Sequence, residues 1–207
     1  MVQYKLVYFD ARGLGEAARL LFHAAGVPFE DYRIGIEEFK KLKSTLPAGH
    51  VPVLYVDGFE ISESATINRY LARKFGLAGK TPEEEASADT VVDFFKDFLF
   101  SYRQMSSAFF FGKPKEEIEK IKREVTGPAA ELYFEKLNRV LSKSSSGFFV
   151  GNSLTWADIV VFDNLISLKN FGLFDPEKEK KLGKLCEKVK EMPRLKQYLE
   201  KRPHYDV

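Results

Sequence analysis

Cysteine is almost missing from this chain, with one residue, Cys186, among 207. A single thiol allows no intrachain disulfide, makes a reducing compartment the simple setting, and excludes a structural zinc site built on several cysteines. Histidine is scarce too. His23, His50 and His204 show no metal-ligand spacing, which argues against a catalytic metal. An excess of one charge is also lacking: 32 basic and 30 acidic residues leave +2. That balance gives no general reason to expect nucleic-acid or anionic-membrane binding. No apolar run approaches the roughly 18 residues of a membrane span. The first ten residues contain Lys5 and no long apolar region, so they read as a strand and not as a signal peptide.

What is present is enough for a packed core. Hydrophobic residues make up 44%, and the length suits one domain or two modest ones. Periodicity divides the chain. Gln3 to Tyr8 alternates, with Tyr4, Leu6 and Tyr8 on one face, as in a strand. Glu16 to Ala25, closed by Gly26, reads as a helix. Phe29 to Ile34 is extended and Glu37 to Lys43 helical. Val53 to Val56 and Phe59 to Ile61, joined by Asp57-Gly58, form a β-hairpin. Ser62 caps a helix from about Glu63 to Phe75. This β-α-β-α-β-β-α order fills residues 1–77, and residues 78–82 read as a linker. Residues 83–207 then read as all-α, with helices over Glu83–Phe111, Pro114–Leu141, Thr155–Lys169, Glu177–Lys190 and Arg194–Lys201. Thr155-Trp156-Ala157-Asp158 has the form of a capping box, with Leu154 and Ile159 as its staple.

Three patterns point away from their obvious chemistry. Gly13-x-Gly15-x-x-Ala18 sits where a dinucleotide fingerprint would, but the sheet is small and contains an antiparallel hairpin, so a glycine-assisted turn is the better reading. Asp89, Asp93 and Asp97 share a helix face, which reads as solvated or as an interface and not as a metal site. Cys186, between Leu185 and Val189, reads as buried and inert.

The first part, with Pro52 opening its third strand, resembles the thioredoxin fold. That resemblance implies a cis Val51-Pro52 bond, which turns the Val51 backbone toward an extended peptide. No cysteine stands after the first strand, so dithiol exchange is excluded. In its place is Tyr8-Phe9-Asp10-Ala11-Arg12-Gly13. Together with Lys43-Ser44-Thr45-Leu46-Pro47, Val51-Pro52-Val53-Leu54, Glu63-Ser64-x-x-Ile67-x-Arg69-Tyr70-Leu71, Leu77-Ala78-Gly79 and Gly151-Asn152-x-x-Thr155-Trp156-Ala157-Asp158, it makes an ordered set across the whole chain. By these elements the chain resembles cytosolic glutathione transferases, closest to the sigma-like class of many invertebrate enzymes and the haematopoietic prostaglandin D synthases.

The resemblance implies roles. A free thiol with a pKa near 8.5 is only about 3% thiolate at pH 7, and a fixed hydroxyl beside the sulfur favours the anion. Tyr8 takes that catalytic role. Ser64, at a helix start, suits the γ-glutamyl carboxylate, and Glu63 suits its amine. Lys43 suits the glycine carboxylate, Val51 pairs with the cysteinyl backbone beside Pro52, and Phe39 and His50 complete the glutathione contacts. Asp97 reaches the amine from a partner subunit, which implies a symmetric homodimer. Phe9, Leu14, Tyr102 and Met105 are assigned to an apolar pocket for a hydrophobic electrophile. Glutathione is then a co-substrate, with no other cofactor and no metal, and the setting is cytoplasmic.

Some positions depart from sigma-class relatives, which often carry Arg at Leu14, Trp at Phe39, and Gln at His50 and Glu63. Leu14 removes a charge close to Tyr8. The position matching the Trp of prostaglandin D synthases is Gln104, which disfavours prostaglandin isomerisation. A different class of reading is a non-catalytic carrier of haem or lipid on the same scaffold. Such a carrier would need the pocket and the dimer, but not Tyr8, Val51-Pro52, Ser64 and Asp97 together.

Overall fold

A computed structural model describes residues 2–205. These form two compact units, residues 2–77 with Met192–Tyr205, and Ala78–Glu191.

The first unit is built on strands β1 (Tyr4–Phe9), β2 (Glu30–Ile34), β3 (Val53–Val56) and β4 (Phe59–Ser62), in the order β2-β1-β3-β4. β1 runs parallel to β2 and antiparallel to β3, which pairs antiparallel with β4. The alternation in β1 predicts a single buried face. As an inner strand, β1 buries Val7 on its other face as well. Helix α1 (Glu16–Ala25) ends on Gly26 at φ 68°, as a left-handed cap requires. Asp57 and Gly58 both have positive φ, the geometry of a two-residue hairpin turn matched to the sheet's twist. The Val51–Pro52 bond is cis, as the resemblance implied. Helices α2 (Ile36–Leu42) and α3 (Ser64–Lys74) complete the pattern. α3 begins one residue later than expected, because Glu63 has φ 69° and cannot be helical.

The second unit is helical: α4 (Pro82–Phe110), α5 (Lys115–Ile121), α6 (Gly127–Leu141), α7 (Trp156–Asn170) and α8 (Lys180–Lys190). The start of α4 closes reciprocally. The Glu84 N–H donates to the Thr81 hydroxyl at 3.2 Å, and the Lys80 N–H donates to the Glu84 carboxylate at 2.7 Å. The predicted single helix over Pro114–Leu141 is interrupted by a π-helical segment, Lys122–Thr126. Pro128 has no N–H to continue an α-helical ladder. Gly127 fits the widened turn, where a Cβ would lie 2.7 Å from the Lys122 carbonyl oxygen. Phe98 stacks on Tyr133 with ring centroids 5.1 Å apart, and Phe95 meets Tyr102 edge-on at 5.2 Å.

Helix α9 (Pro193–Lys201) departs from the expectation that 83–207 form one domain, because it belongs to the first unit. Tyr198 stacks on His23 of α1 at 3.9 Å, and Arg194 donates to the Ala25 carbonyl at 2.8 Å, satisfying one acceptor at the end of α1. The amphipathic pattern that placed a helix here could not say which core its apolar face, centred on Leu195, would join.

The capping box of α7 is present as predicted. Asp158 accepts from the Thr155 N–H and hydroxyl, both at 2.8 Å, and from the Phe149 N–H at 2.8 Å. Burial pushes this carboxyl up to about 6, against the pull of those donors. Asp158→Ala leaves buried N–H groups unpaired and is expected to cost about 2–4 kcal/mol of unfolding free energy. Urea unfolding at pH 7 measures it, and a wild-type midpoint would mean that water replaces the carboxylate at no cost.

Candidate active site

Tyr8 lies at the end of β1, paired in register with Arg33 of β2, and is 8% exposed. The chain then turns through residues 10–15 into α1. This turn brings the Leu14 backbone N–H to 2.9 Å from the Tyr8 phenolic oxygen, to which it donates. The two glycines flanking Leu14 make room for the ring. A Cβ on Gly13 would come within 2.5 Å of the Tyr8 hydroxyl, and one on Gly15 within 2.5 Å of Cγ. The Gly-x-Gly pattern is therefore a cradle for an aromatic side chain, not for a phosphate. An N–H donated to the phenolic oxygen polarises its O–H bond and makes the hydroxyl a stronger donor.

The turn rests on a buried cation. Arg19 of α1 is 0% exposed, and its Nη1 and Nη2 donate to the Ala11 and Phe9 carbonyls at 2.6 and 3.2 Å. Its guanidinium carbon also lies 5.8 Å from the centre of the Tyr8 ring. Two carboxylates neutralise it. Asp31 accepts from Nε at 2.9 Å, and Glu16, itself 1% exposed, accepts from Nη1 at 3.1 Å. The other Glu16 oxygen accepts from Arg202 Nη1 at 2.6 Å and from the Tyr198 hydroxyl at 3.0 Å. Burial pushes the Glu16 carboxyl up, but Arg202 and Arg19, with Arg12 behind them, hold it below the ordinary value. Nearby, Asp10 accepts from Tyr205 and Arg33, and the Tyr205 bond does most to lower its carboxyl.

Several other expected residues gather in the same unit. Phe9 packs edge-on against Tyr8 at 5.6 Å and against Phe39 at 5.1 Å, so these two apolar residues form one aromatic edge with Tyr8. His50 and Glu63 meet, with Nε2 and Oε1 3.1 Å apart on exposed side chains. Ser64 is the first residue of α3, and no side chain caps that helix from the Glu63 position, which leaves its N-terminus with backbone donors. β3 begins at Val53, so the Val51 backbone lies outside the sheet ladder. Lys43 is exposed just after α2.

In the helical unit the fit is poorer. Tyr102 and Met105 are 2% and 0% exposed. Tyr102 packs among Phe95, Phe98 and Phe171, so these two are core residues, and the expectation that they line an open pocket is corrected. Helical spacing predicts which face is apolar, not whether that face meets a cavity or a neighbouring helix. Asp97 is exposed and accepts from Lys136 of its own chain at 2.8 Å, which lowers its carboxyl. Cys186 is partly buried, and burial raises its thiol to about 12, which keeps it protonated.

Comparisons with known proteins bear on the family. Residues 4–73 match the glutathione S-transferase N-terminal domain, and residues 101–202 match the glutathione S-transferase C-terminal domain. Glutathione S-transferase 3 of Caenorhabditis elegans is 53% identical over 203 residues, covering 98% of each chain. The chain belongs to the glutathione S-transferase family. Its fold also matches that of the glutathione S-transferase from Ascaris lumbricoides, with a TM-score of 0.90 and 44% identity over 99% of this chain and all of that one. A structure described as monomeric Na-GST-3, from the hookworm Necator americanus, matches with a TM-score of 0.88 and 39% identity over 99% of this chain and all of that one.

Sequence reading missed the support beneath the transferase turn. Arg19 and Glu16 have ordinary helical spacing, and Tyr198 and Arg202 lie more than 180 residues away from Glu16. The only local signal is a charged pair on the face of α1 that otherwise carries Leu20, Leu21 and Phe22 into the core. Because Glu16 titrates below its unfolded value of 4.5, its contribution to stability is present above about pH 4.5 and is lost as pH falls through the folded value. Glu16→Gln should therefore cost about 3 kcal/mol at pH 7. The gap to wild type should narrow as pH drops below about 4.5. Urea midpoints across that range test the sign, and a gap that widens in acid would contradict it.

Proposed function

We propose that the chain is a glutathione S-transferase in which Tyr8 donates a hydrogen bond to the glutathione sulfur and lowers its pKa. The observation that carries this reading is the Tyr8 hydroxyl, fixed in a glycine cradle and polarised by the Leu14 N–H at 2.9 Å. The thiol proton leaves to solvent. The thiolate's lone pair then forms a bond to an electrophilic carbon, and a leaving group or a rearranged π-bond takes up the displaced electrons. The balance needs no electron carrier, so glutathione is a co-substrate and no further cofactor is assigned.

The remaining residues hold the tripeptide. The Val51 backbone, freed from the sheet beside cis-Pro52, pairs with the cysteinyl unit in the manner of an added strand. Ser64 and the first N–H groups of α3 take the γ-glutamyl carboxylate. The Glu63 carboxylate, now paired with His50, faces the amine, and Lys43 takes the glycine carboxylate. Phe9, Phe39 and Leu14 supply apolar contacts near the sulfur for a hydrophobic electrophile. The Leu14 side chain brings no charge to Tyr8, but its backbone still donates to the hydroxyl, and the Arg19 guanidinium lies behind the ring. A reducing, cytoplasmic setting suits a chain with one protonated thiol.

We also assign a homodimer in which Asp97 of one subunit reaches the γ-glutamyl amine in the other. Lys136 holds one oxygen of this carboxylate, Oδ2, at 2.8 Å, and the other oxygen accepts from the amine.

Tyr8→Phe is expected to lower turnover of a chloronitrobenzene by roughly 10- to 100-fold with glutathione affinity within a few-fold, as for loss of one donor to a developing anion. Unchanged turnover would remove Tyr8 from the chemistry, whereas a wild type that binds glutathione without turnover would favour a carrier. Asp97→Asn should weaken glutathione binding by about 1–2 kcal/mol while the chain stays dimeric. Calorimetry paired with sedimentation separates the cases. A monomeric wild type with normal turnover would defeat the shared site.

A further inference from the structure

We infer that Arg202 and Tyr198, at the far end of the chain, are positioning residues for thiol activation, acting through Glu16 and Arg19 on the turn that polarises Tyr8. The inference rests on the reading of Tyr8 as the partner of the glutathione sulfur.

Three links connect the two ends. Arg202 and the Tyr198 hydroxyl both donate to Glu16 Oε1, at 2.6 and 3.0 Å. Glu16 Oε2 accepts from Arg19 Nη1 at 3.1 Å. Arg19 in turn donates to the Phe9 and Ala11 carbonyls, where the turn departs from β1. The turn's other end carries the Leu14 N–H to the Tyr8 oxygen. No link is solvated enough to be soft, since Glu16 and Arg19 are buried and Arg202 is nearly so.

Anchoring α9 does not require these polar contacts. The His23–Tyr198 stack, the Arg194–Ala25 hydrogen bond and the buried Leu195 already tie that helix to α1. Arg202 and the Tyr198 hydroxyl instead supply charge and donors to a carboxylate that must also hold Arg19. The groups facing Glu16 are Arg12, Arg19, Tyr198 and Arg202, with His23 and Asp31 nearby. Burial first, and Glu16 next, push the Tyr198 phenol up, so it remains a donor throughout the working range. Without Arg202, Glu16 draws more strongly on Arg19, whose hold on the two carbonyls loosens. The Leu14 N–H then no longer meets the phenolic oxygen at its present distance.

The test is the pH titration of thiolate absorbance for glutathione bound to wild type, Arg202→Gln, Tyr198→Phe and Tyr8→Phe. In Arg202→Gln and Tyr198→Phe the bound thiol should titrate about half a unit to one unit higher, which is about a 3- to 10-fold smaller acid dissociation constant. Glutathione affinity should stay within about threefold, because the contacts to the tripeptide lie elsewhere. Adding Arg202→Gln to Tyr8→Phe should raise the thiol pKa no further than Tyr8→Phe alone, since both act through one hydroxyl. If Arg202→Gln does not fold, Tyr198→Phe, which keeps the ring stacked on His23, carries the same test. A wild-type titration in the folded positioning variants, with Tyr8→Phe shifted, overturns this inference alone. Full additivity in the double variant overturns it as well. A wild-type titration in Tyr8→Phe removes the Tyr8 assignment, and the positioning role falls with it.

Discussion

The burial of one guanidinium constrains the first unit more than any other interaction. Removing Arg19 from water is costly unless every donor is met and the charge is matched. Four of its five N–H groups find partners, two of them backbone carbonyls, and Asp31 and Glu16 match the charge. Those carbonyls lie at the end of β1 and in the turn that follows, so satisfying the cation also fixes the path of that turn. Glu16 then becomes a buried anion with requirements of its own, and α9 meets them. The path of the turn beneath the Tyr8 hydroxyl and the polar contacts of a terminal helix are tied to the compensation of one charge.

Elsewhere in this unit, one of the residues assigned to glutathione carries backbone strain. Glu63 occupies a positive φ without being glycine, which costs of order 1–3 kcal/mol. That geometry starts α3 at Ser64 and keeps the first N–H groups of the helix clear of a side-chain cap. A capping residue in ordinary extended conformation would satisfy those donors locally and leave less for a bound carboxylate. At the Tyr8 end the turn is held instead by buried hydrogen bonds from Arg19.

Much of this was legible in the sequence. Alternation in β1, the Asp57-Gly58 turn, the glycine after α1 and the capping box at Thr155 each carry a local cause, and each element lies within a few residues of its predicted bounds. The order of motifs pointed to the family and to the cis Val51-Pro52 bond. What was not legible depends on partners distant in sequence. Arg19 looks like any helical arginine until Phe9 and Ala11 are folded beside it. The break before Gly127 needed the combined effect of Pro128 and the Lys122 carbonyl. The burial of Tyr102 and Met105 depends on packing that periodicity does not encode, and α9 could have joined either unit.

Because α9 packs in the first unit, that unit is discontinuous in the chain while the helical one, Ala78–Glu191, is a single stretch. Synthesis proceeds from the N-terminus, and domains fold as units when their residues become available. The helical unit therefore has its full complement of residues before the first unit does. Glu16 and Arg202 are separated by 186 positions, so the carboxylate has Arg19 beside it early and gains its second cation only near the end of translation.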